Sequence, residues 1–265
     1  MKLTLIITTY NWVESLALVL ESVKRQTIIP FEVIVADDGS NEETRNLISS
    51  FNKTSNLNVI HSWQEDIGFR AARSRNNAIL KSSGDYIVLI DGDMILHSYF
   101  IQDHIESAES GYFIQGSRVL LSEKQTTKTL TQKTIKFPFF LPGLMNRKNA
   151  IHSQFLSKFF SNKKNFISGI RSCNMAFYLK DCLHINGFNN EFEGWGREDS
   201  EFVVRLMNSG VKRKNIRFLS IQYHLWHNEN NKSFLKKNDL MLKFSIKKNI
   251  KWCENGINSL KNYES

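Results

Sequence analysis

The chain is poor in cysteine and proline, with three of each in 265 residues. Cys173, Cys182 and Cys253 form an odd set without CxxC spacing, which argues against a disulfide framework and a cysteine-built metal site and points to a reducing compartment. No apolar run approaches the ~20 residues of a membrane-spanning helix. The opening MKLTLIITTYNW is interrupted by threonine and followed by no small-residue cleavage site, so it reads as a strand and not a signal peptide. A cytoplasmic protein is the expectation. Glycine-rich loops are missing as well. The segment TTYNWVES after the first strand has neither the GxGxxG of dinucleotide oxidoreductases nor the phosphate loop of a nucleotidyltransferase, which sets both classes aside.

What is present is an ordinary globular composition, 41% hydrophobic and 23% charged, enough for one sizeable core. The net charge of +9 draws the protein to anions: nucleic acid, acidic lipid or phosphorylated substrates. Short β-branched runs at 3–7, 31–36, 57–61 and 86–90 have the character of buried parallel strands. Helical spacing fills the gaps, with Leu16, Leu20 and Val23, then Leu47 and Phe51, then Ala72, Ile79 and Leu80. This alternation predicts right-handed βαβ units and an α/β fold, a mostly parallel sheet flanked by helices. Ligands bind such sheets outside the carboxyl ends of the strands. Here those ends read TTYN, DDGSN and DGDM, so one site built from all three is implied.

Residues 122–166 change character, with many Lys and Asn and the apolar island FPFFLPGLM, and read as a long mobile loop or a set of short helices near the site. Further strands are expected at 173–179 and 216–221, a helix from Glu198 to about Gly210, and a basic amphipathic helix over 232–251.

Several motifs can carry chemistry. Asp91 and Asp93 flank Gly92 directly after a buried strand, where two carboxylates repel unless a cation joins them; this is either turn chemistry or a divalent metal site. Asp37-Asp38-Gly39-Ser40 poses the same choice, with Ser40 or Asn41 capping the next helix. Arg70, Arg73 and Arg75 form either a solvated basic face or a phosphate contact. His224 and His227, three apart past a strand, are candidate metal ligands. In GWGREDSE, acids at a helix start suit its dipole, but Trp195 between two glycines suits a sugar ring, and a neighbouring carboxylate suits a general base.

With TTYN at 8–11, ADDGS at 36–40, GFRAARSRNNAI at 68–79 and DGDM at 91–94, the chain resembles family 2 glycosyltransferases of the nucleotide-sugar-binding fold called GT-A. From 174 to 210 it is similar to the C-terminal region of β-1,4-galactosyltransferases and bacterial chondroitin polymerases. The resemblance implies a UDP-sugar donor, Mn2+ or Mg2+ as cofactor, and a glycan or lipid-linked saccharide acceptor. Thr8, Tyr10, Asp38, Arg70 and Asp91 would hold the nucleotide, with Asp37 an additional contact. Asp93, His227 and His224 would hold the metal. Trp195, Gly196 and Asn174 would line the sugar and acceptor site, with Glu198 on a sugar hydroxyl and Asp199 as general base. Residues 1–121 would then be the nucleotide half, 122–166 a lid, 167–230 the acceptor and catalytic half, and 231–265 a basic tail able to dock on an acidic inner membrane surface. Ser172-Cys173 stands where relatives commonly have Gly-Gly, so the donor sugar is not transferable from them. The alternatives are a nucleotide-sugar-binding protein without turnover and a basic anion- or nucleic-acid-binding protein; the motifs favour a transferase that uses no nucleic acid.

Overall fold

The computed structural model describes residues 1–228 and 231–261; the ends of the expected 167–230 and 231–265 segments therefore lie partly outside the described residues. Four strands, β1 (Leu3–Thr9), β2 (Glu32–Asp37), β3 (Val59–Trp63) and β4 (Tyr86–Asp91), pair in parallel in the order β4–β1–β2–β3. They alternate with α1 (Val13–Lys24), α2 (Glu42–Thr54) and α3 (Ala71–Leu80). The reason for the unbroken apolar runs is that both faces are covered. On β1, Leu5 and Ile7 pack with Leu16, Val19 and Val23 of α1, while Ile6 faces Ala72 and Ile79 of α3. Asn41 caps α2, its side chain accepting from the Glu43 N–H at 3.2 Å.

Beyond β4 come β5 (Met94–Leu96), α4 (Phe100–Ser107), β6 (Tyr112–Gln115) and β7 (Val119–Leu121). Residues 122–166 hold α5 (Glu123–Gln132), β8 (Leu144–Met145), a short 3-10 turn and α6 (Gln154–Phe160). Then follow β9 (Met175–Tyr178), α7 (Leu179–His184), α8 (Glu198–Asn208), β10 (Lys212–Asn215), β11 (Gln222–His224), α9 (Leu235–Lys247) and α10 (Ile257–Lys261).

The main sheet is completed as β10–β6–β9–β4–β1–β2–β3. It is mostly parallel, but β9 runs antiparallel to both β4 and β6. A second sheet, β5–β11–β7–β8, packs against Leu18 of α1 through its own apolar cluster around Ile95, Val119, Ile221 and Tyr223.

One expected strand is absent. Residues 216–221 connect β10 to β11, because Phe218 and Ser220 adopt positive φ (63° and 49°), which extended pairing does not allow. The apolar ends of this run, Ile216 and Ile221, are buried nonetheless, which gives it a strand-like pattern.

The tail is also more integrated than a separate basic segment. Asn186 donates to the Cys253 carbonyl at 2.7 Å and accepts from the Asn258 N–H at 2.8 Å, and Asn190 donates to the Asn255 and Gly256 carbonyls at 2.7 and 3.0 Å. Ile257 is buried in the same cluster as Phe188 and Phe202. The C-terminal residues thereby clamp the segment that leads to Trp195. Ile257→Ala is expected to cost about 2–5 kcal/mol of stability, read as a lowered denaturant midpoint with an unchanged slope.

Candidate active site

Register brings the three motifs together. Thr8 of β1 pairs with Asp91 of β4, and Thr9 pairs with Asp37 of β2, so the carboxyl ends of three strands open on one crevice. The Gly92 N–H donates to the Thr8 carbonyl at 2.7 Å and the Asp38 N–H to the Thr9 carbonyl at 3.0 Å, which fixes both turns against β1.

At the end of β2, Asp38 accepts from the Arg70 backbone N–H at 2.7 Å and from the Gln64 amide at 2.5 Å. Burial pushes its carboxyl up to about 6, against these bonds. The Tyr10 ring is half exposed, and its hydroxyl donates to Asp66 at 2.9 Å. Arg70 turns its guanidinium onto the Glu65 carbonyl and keeps a buried Nε without a partner. Asp37 departs from the expected nucleotide contact. It is fully buried, with one oxygen accepting from the Ser40 N–H (2.8 Å) and the other paired with His61 (2.8 Å), so it shapes the turn that presents Asp38.

Asp93, His224 and His227 converge, each offering a ligand atom within 4.8 Å of the others. The Asp93 Oδ2 lies 3.1 Å from His224 Nε2 and 3.2 Å from His227 Nε2, while its buried Oδ1 has no partner. Burial alone would raise this carboxyl, but the two imidazoles hold it below its ordinary range, and Asp93 in turn pushes His227 up to about 9. His227 directs Nδ1 at the Asn228 carbonyl (2.7 Å), which leaves Nε2 for the cluster. One carboxylate and two imidazoles with an unused lone pair fit a divalent cation of borderline hardness. Next to them, burial and the neighbouring Asp93 push Asp91 up to about 6.

The third part of the site arrives on α8. Trp195 stands between Gly194 (φ 68°) and Gly196 (φ 105°), and a side chain at Gly194 would strike Phe234 at 2.6 Å, so the glycines permit the bend that exposes the indole. Arg197, also left-handed at φ 77°, ties this bend to α9 through Asp239 (2.5 Å). Glu198 and Asp199 open the helix. Burial first, and Glu198 second, push Asp199 up to about 7. Glu201, which the helix dipole alone would explain, is instead locked in a buried bidentate pair with Arg205 at 2.8 Å for both bonds.

Arg75 joins the start of α8 to the ends of β1 and β4. It is 5% exposed, lies 3.2 Å from Glu198 and 3.7 Å from Asp91, donates to the Thr8 hydroxyl at 3.2 Å, and stacks on the Phe188 ring. A basic run on a helix reads as a solvated face, which hides it. The available signal is its setting among Ala71, Ala72, Ser74 and Ala78, small buried residues that leave room for one long cation. Arg118 is a second cation missed in the sequence; it sits against Cys173 (3.6 Å) with its charge felt by Asp91. Asn174, expected at the sugar site, is instead structural. It is buried and saturated by His104 (3.0 Å) and the Ser117 and Ser220 carbonyls (2.8 and 2.9 Å).

The model of the family described as "Glycosyl transferase family 2" matches residues 4–183, more than half of the chain. The chain belongs to glycosyltransferase family 2. A second family model, described as the "N-terminal domain of galactosyltransferase", matches residues 154–228 of this transferase. It is 28% identical over 235 residues to a chondroitin synthase of Escherichia coli, covering 81% of this chain but 33% of that protein, so the transferase spans about a third of this relative's length. Among solved structures it is similar to S. aureus TarS 1–349 in complex with UDP (TM-score 0.66, 15% identity, 94% of this chain and 65% of that one). It is also similar to the mannosyltransferase PcManGT of Pyrobaculum calidifontis in complex with GDP-Man and Mn2+ (TM-score 0.58, 15% identity, 86% and 58%). The fold of this family 2 transferase is therefore the expected GT-A fold.

For the transferase, Mn2+ at a hundredfold excess over its Kd should stabilise the fold by about 2.7 kcal/mol in thermal melts, an effect lost in Asp93→Asn and in His224→Ala/His227→Ala. Arg75→Met, which leaves the largely buried Glu198 without its cation and strips Asp91, 35% exposed, of its partner, should destabilise by about 3 kcal/mol in chemical denaturation.

Proposed function

We propose that this transferase moves a hexose or N-acetylhexosamine (Gal, GalNAc, Glc or GlcNAc) from a UDP-sugar to a glycan hydroxyl with inversion, in the building of a bacterial-type surface polysaccharide or lipooligosaccharide. The observation that carries this reading is Arg75, which holds the Glu198-Asp199 helix start against the strand ends of β1 and β4. A proton acceptor, a sugar platform and a cation-binding cluster thus share one cleft.

In the reaction, Asp199 takes the proton of the acceptor hydroxyl as its oxygen attacks the anomeric carbon. The bond from that carbon to the diphosphate oxygen breaks, and the electron pair leaves with UDP. A single displacement inverts the configuration. Trp195 supports the acceptor ring from below, and the buried, unpartnered Oε2 of Glu198 accepts from a sugar hydroxyl. Asp93, His224 and His227 would hold a divalent ion, read as Mn2+, which would supply positive charge to the leaving diphosphate. Tyr10 stacks on the uracil and Asp38 reads its edge.

Residues 122–166 are proposed to cover the donor and exclude water, since the Thr126 hydroxyl of α5 holds the Trp226 N–H (2.8 Å) next to His227. A cytoplasmic protein held at the inner face of the membrane fits α9, whose Leu240, Phe244 and Ile246 are exposed among lysines. No helix among the described residues is long and apolar enough to cross a membrane.

The base assignment is tested by Asp199→Asn, expected to lower turnover ~10²- to 10⁴-fold with UDP affinity nearly unchanged; activity within a few-fold of the parent would remove Asp199 from the role. Because the Asp199 carboxyl is raised to about 7 by burial and Glu198, the base is protonated below that pH. Its activity should therefore fall tenfold per unit as pH drops below about 7. Stability runs the other way, since a raised carboxyl favours the folded state while protonated, and that contribution is lost as pH rises through about 7. A panel of UDP-sugars with Mn2+, read by released UDP, identifies the donor.

A further inference from the structure

Between Glu123 and Asp181 the chain carries no acidic residue across 57 positions, and eleven lysines and arginines. Helix α6 lies in the middle of this run and turns aromatic side chains to solvent. Its small polar Ser157 faces inward, bonded to Ser161 at 2.9 Å, while Phe155, Phe159 and Phe160 are 68%, 70% and 52% exposed. A surface helix normally buries its apolar stripe and shows its polar one. Phe155 and Phe159 pack ring to ring at 5.1 Å, with Lys158 exposed between them in sequence. At the end of the helix Phe160 packs against Phe218 at 5.4 Å, and further along the same stretch an exposed Phe166 lies against the Arg213 guanidinium at 4.0 Å. Of the acids nearby, Glu106 accepts from the Gln154 amide at the start of α6 (3.1 Å) and from Gln102, and Glu109 is paired with Lys163 and Lys214.

The patch is anchored. Ser153 caps α6 and donates its N–H to the Phe218 carbonyl at 2.9 Å, and His152 pairs with buried Asp103 at 3.0 Å. The same stretch supplies β8, in the sheet whose β11 carries His224.

We propose that α6, with exposed Lys158 within it and exposed Lys164 shortly after it in the chain, is a docking surface for an anionic lipid bilayer. Phenylalanine side chains have no polar atom to satisfy and enter the boundary of headgroups and acyl chains, while the lysines meet lipid phosphates. That pairing of chemistries fits a bilayer better than a soluble polyanion, which offers charge but little apolar depth. The surface is distinct from α9 and does not depend on which sugar the site transfers.

Flotation of the full chain with vesicles of phosphatidylcholine alone, or mixed with phosphatidylglycerol, tests this. Binding is expected to the mixed vesicles only, to weaken with salt, and to fall roughly tenfold or more in both Phe155→Ser/Phe159→Ser and Lys158→Glu/Lys164→Glu. The unfolding temperature of each variant should match the parent, since all four positions are exposed. Undiminished vesicle binding by both α6 variants, with loss confined to Leu240→Ser/Phe244→Ser of α9, would overturn the proposal. So would the absence of vesicle binding alongside retention on heparin or single-stranded DNA that the lysine variant abolishes, which would assign the charge to a soluble polyanion.

Discussion

A cluster of four carboxylates, Asp91, Asp93, Glu198 and Asp199, is drawn together at the end of a hydrophobic sheet, and its mutual repulsion is the constraint around which the molecule is arranged. Arg75 answers it from inside the protein, by ion pairs to Asp91 and Glu198 on opposite sides of the cleft. Its burial in turn dictates the small residues of α3 and the aromatic floor at Phe188. A buried charge network of this kind does little for net stability. What it fixes is position, by holding α8 to the strand ends of β1 and β4 at one distance.

The segment that carries Trp195 has a second attachment. Asn186 and Asn190 bind the backbone of residues 253–258, and Arg197 reaches α9 through Asp239. The indole of Trp195 is thus suspended between a charge clamp at one end and an amide clamp at the other. The bend at its glycines serves exposure of the ring, not free movement.

Much of this arrangement is legible in the sequence. Runs such as LTLII and FEVIVA announce strands buried on both faces, since no half-solvated strand needs so many apolar neighbours in a row. The polar strand ends then locate the crevice. What stays hidden depends on partners distant in sequence. Asp37 and Asp38 look alike as letters, but His61 and the Ser40 N–H occupy one, and the Arg70 N–H the other. Asn174 reads as a sugar contact because nothing local reveals the carbonyls of Ser117 and Ser220 that surround it. Residues 216–221 are apolar for packing while their φ angles forbid pairing. Arg70 stands at the start of α3 and Arg75 on its buried side, a difference of position that the letters do not carry.

The reversed strand β9 has an effect on how this site can change over time. Because it runs against its neighbours, its entry and not its exit lies at the crevice, so Ser172 and Cys173 meet the cleft from the connection leading into the strand. The chain then departs to the far side of the sheet and returns through separate turns to deliver Trp195 and Glu198. The Cys173 side and the Trp195 side of the crevice are therefore built from independent stretches of backbone. Substitutions around Cys173 and substitutions around Trp195 fall in separate parts of the chain, so either wall of the crevice can be reshaped while the other is kept.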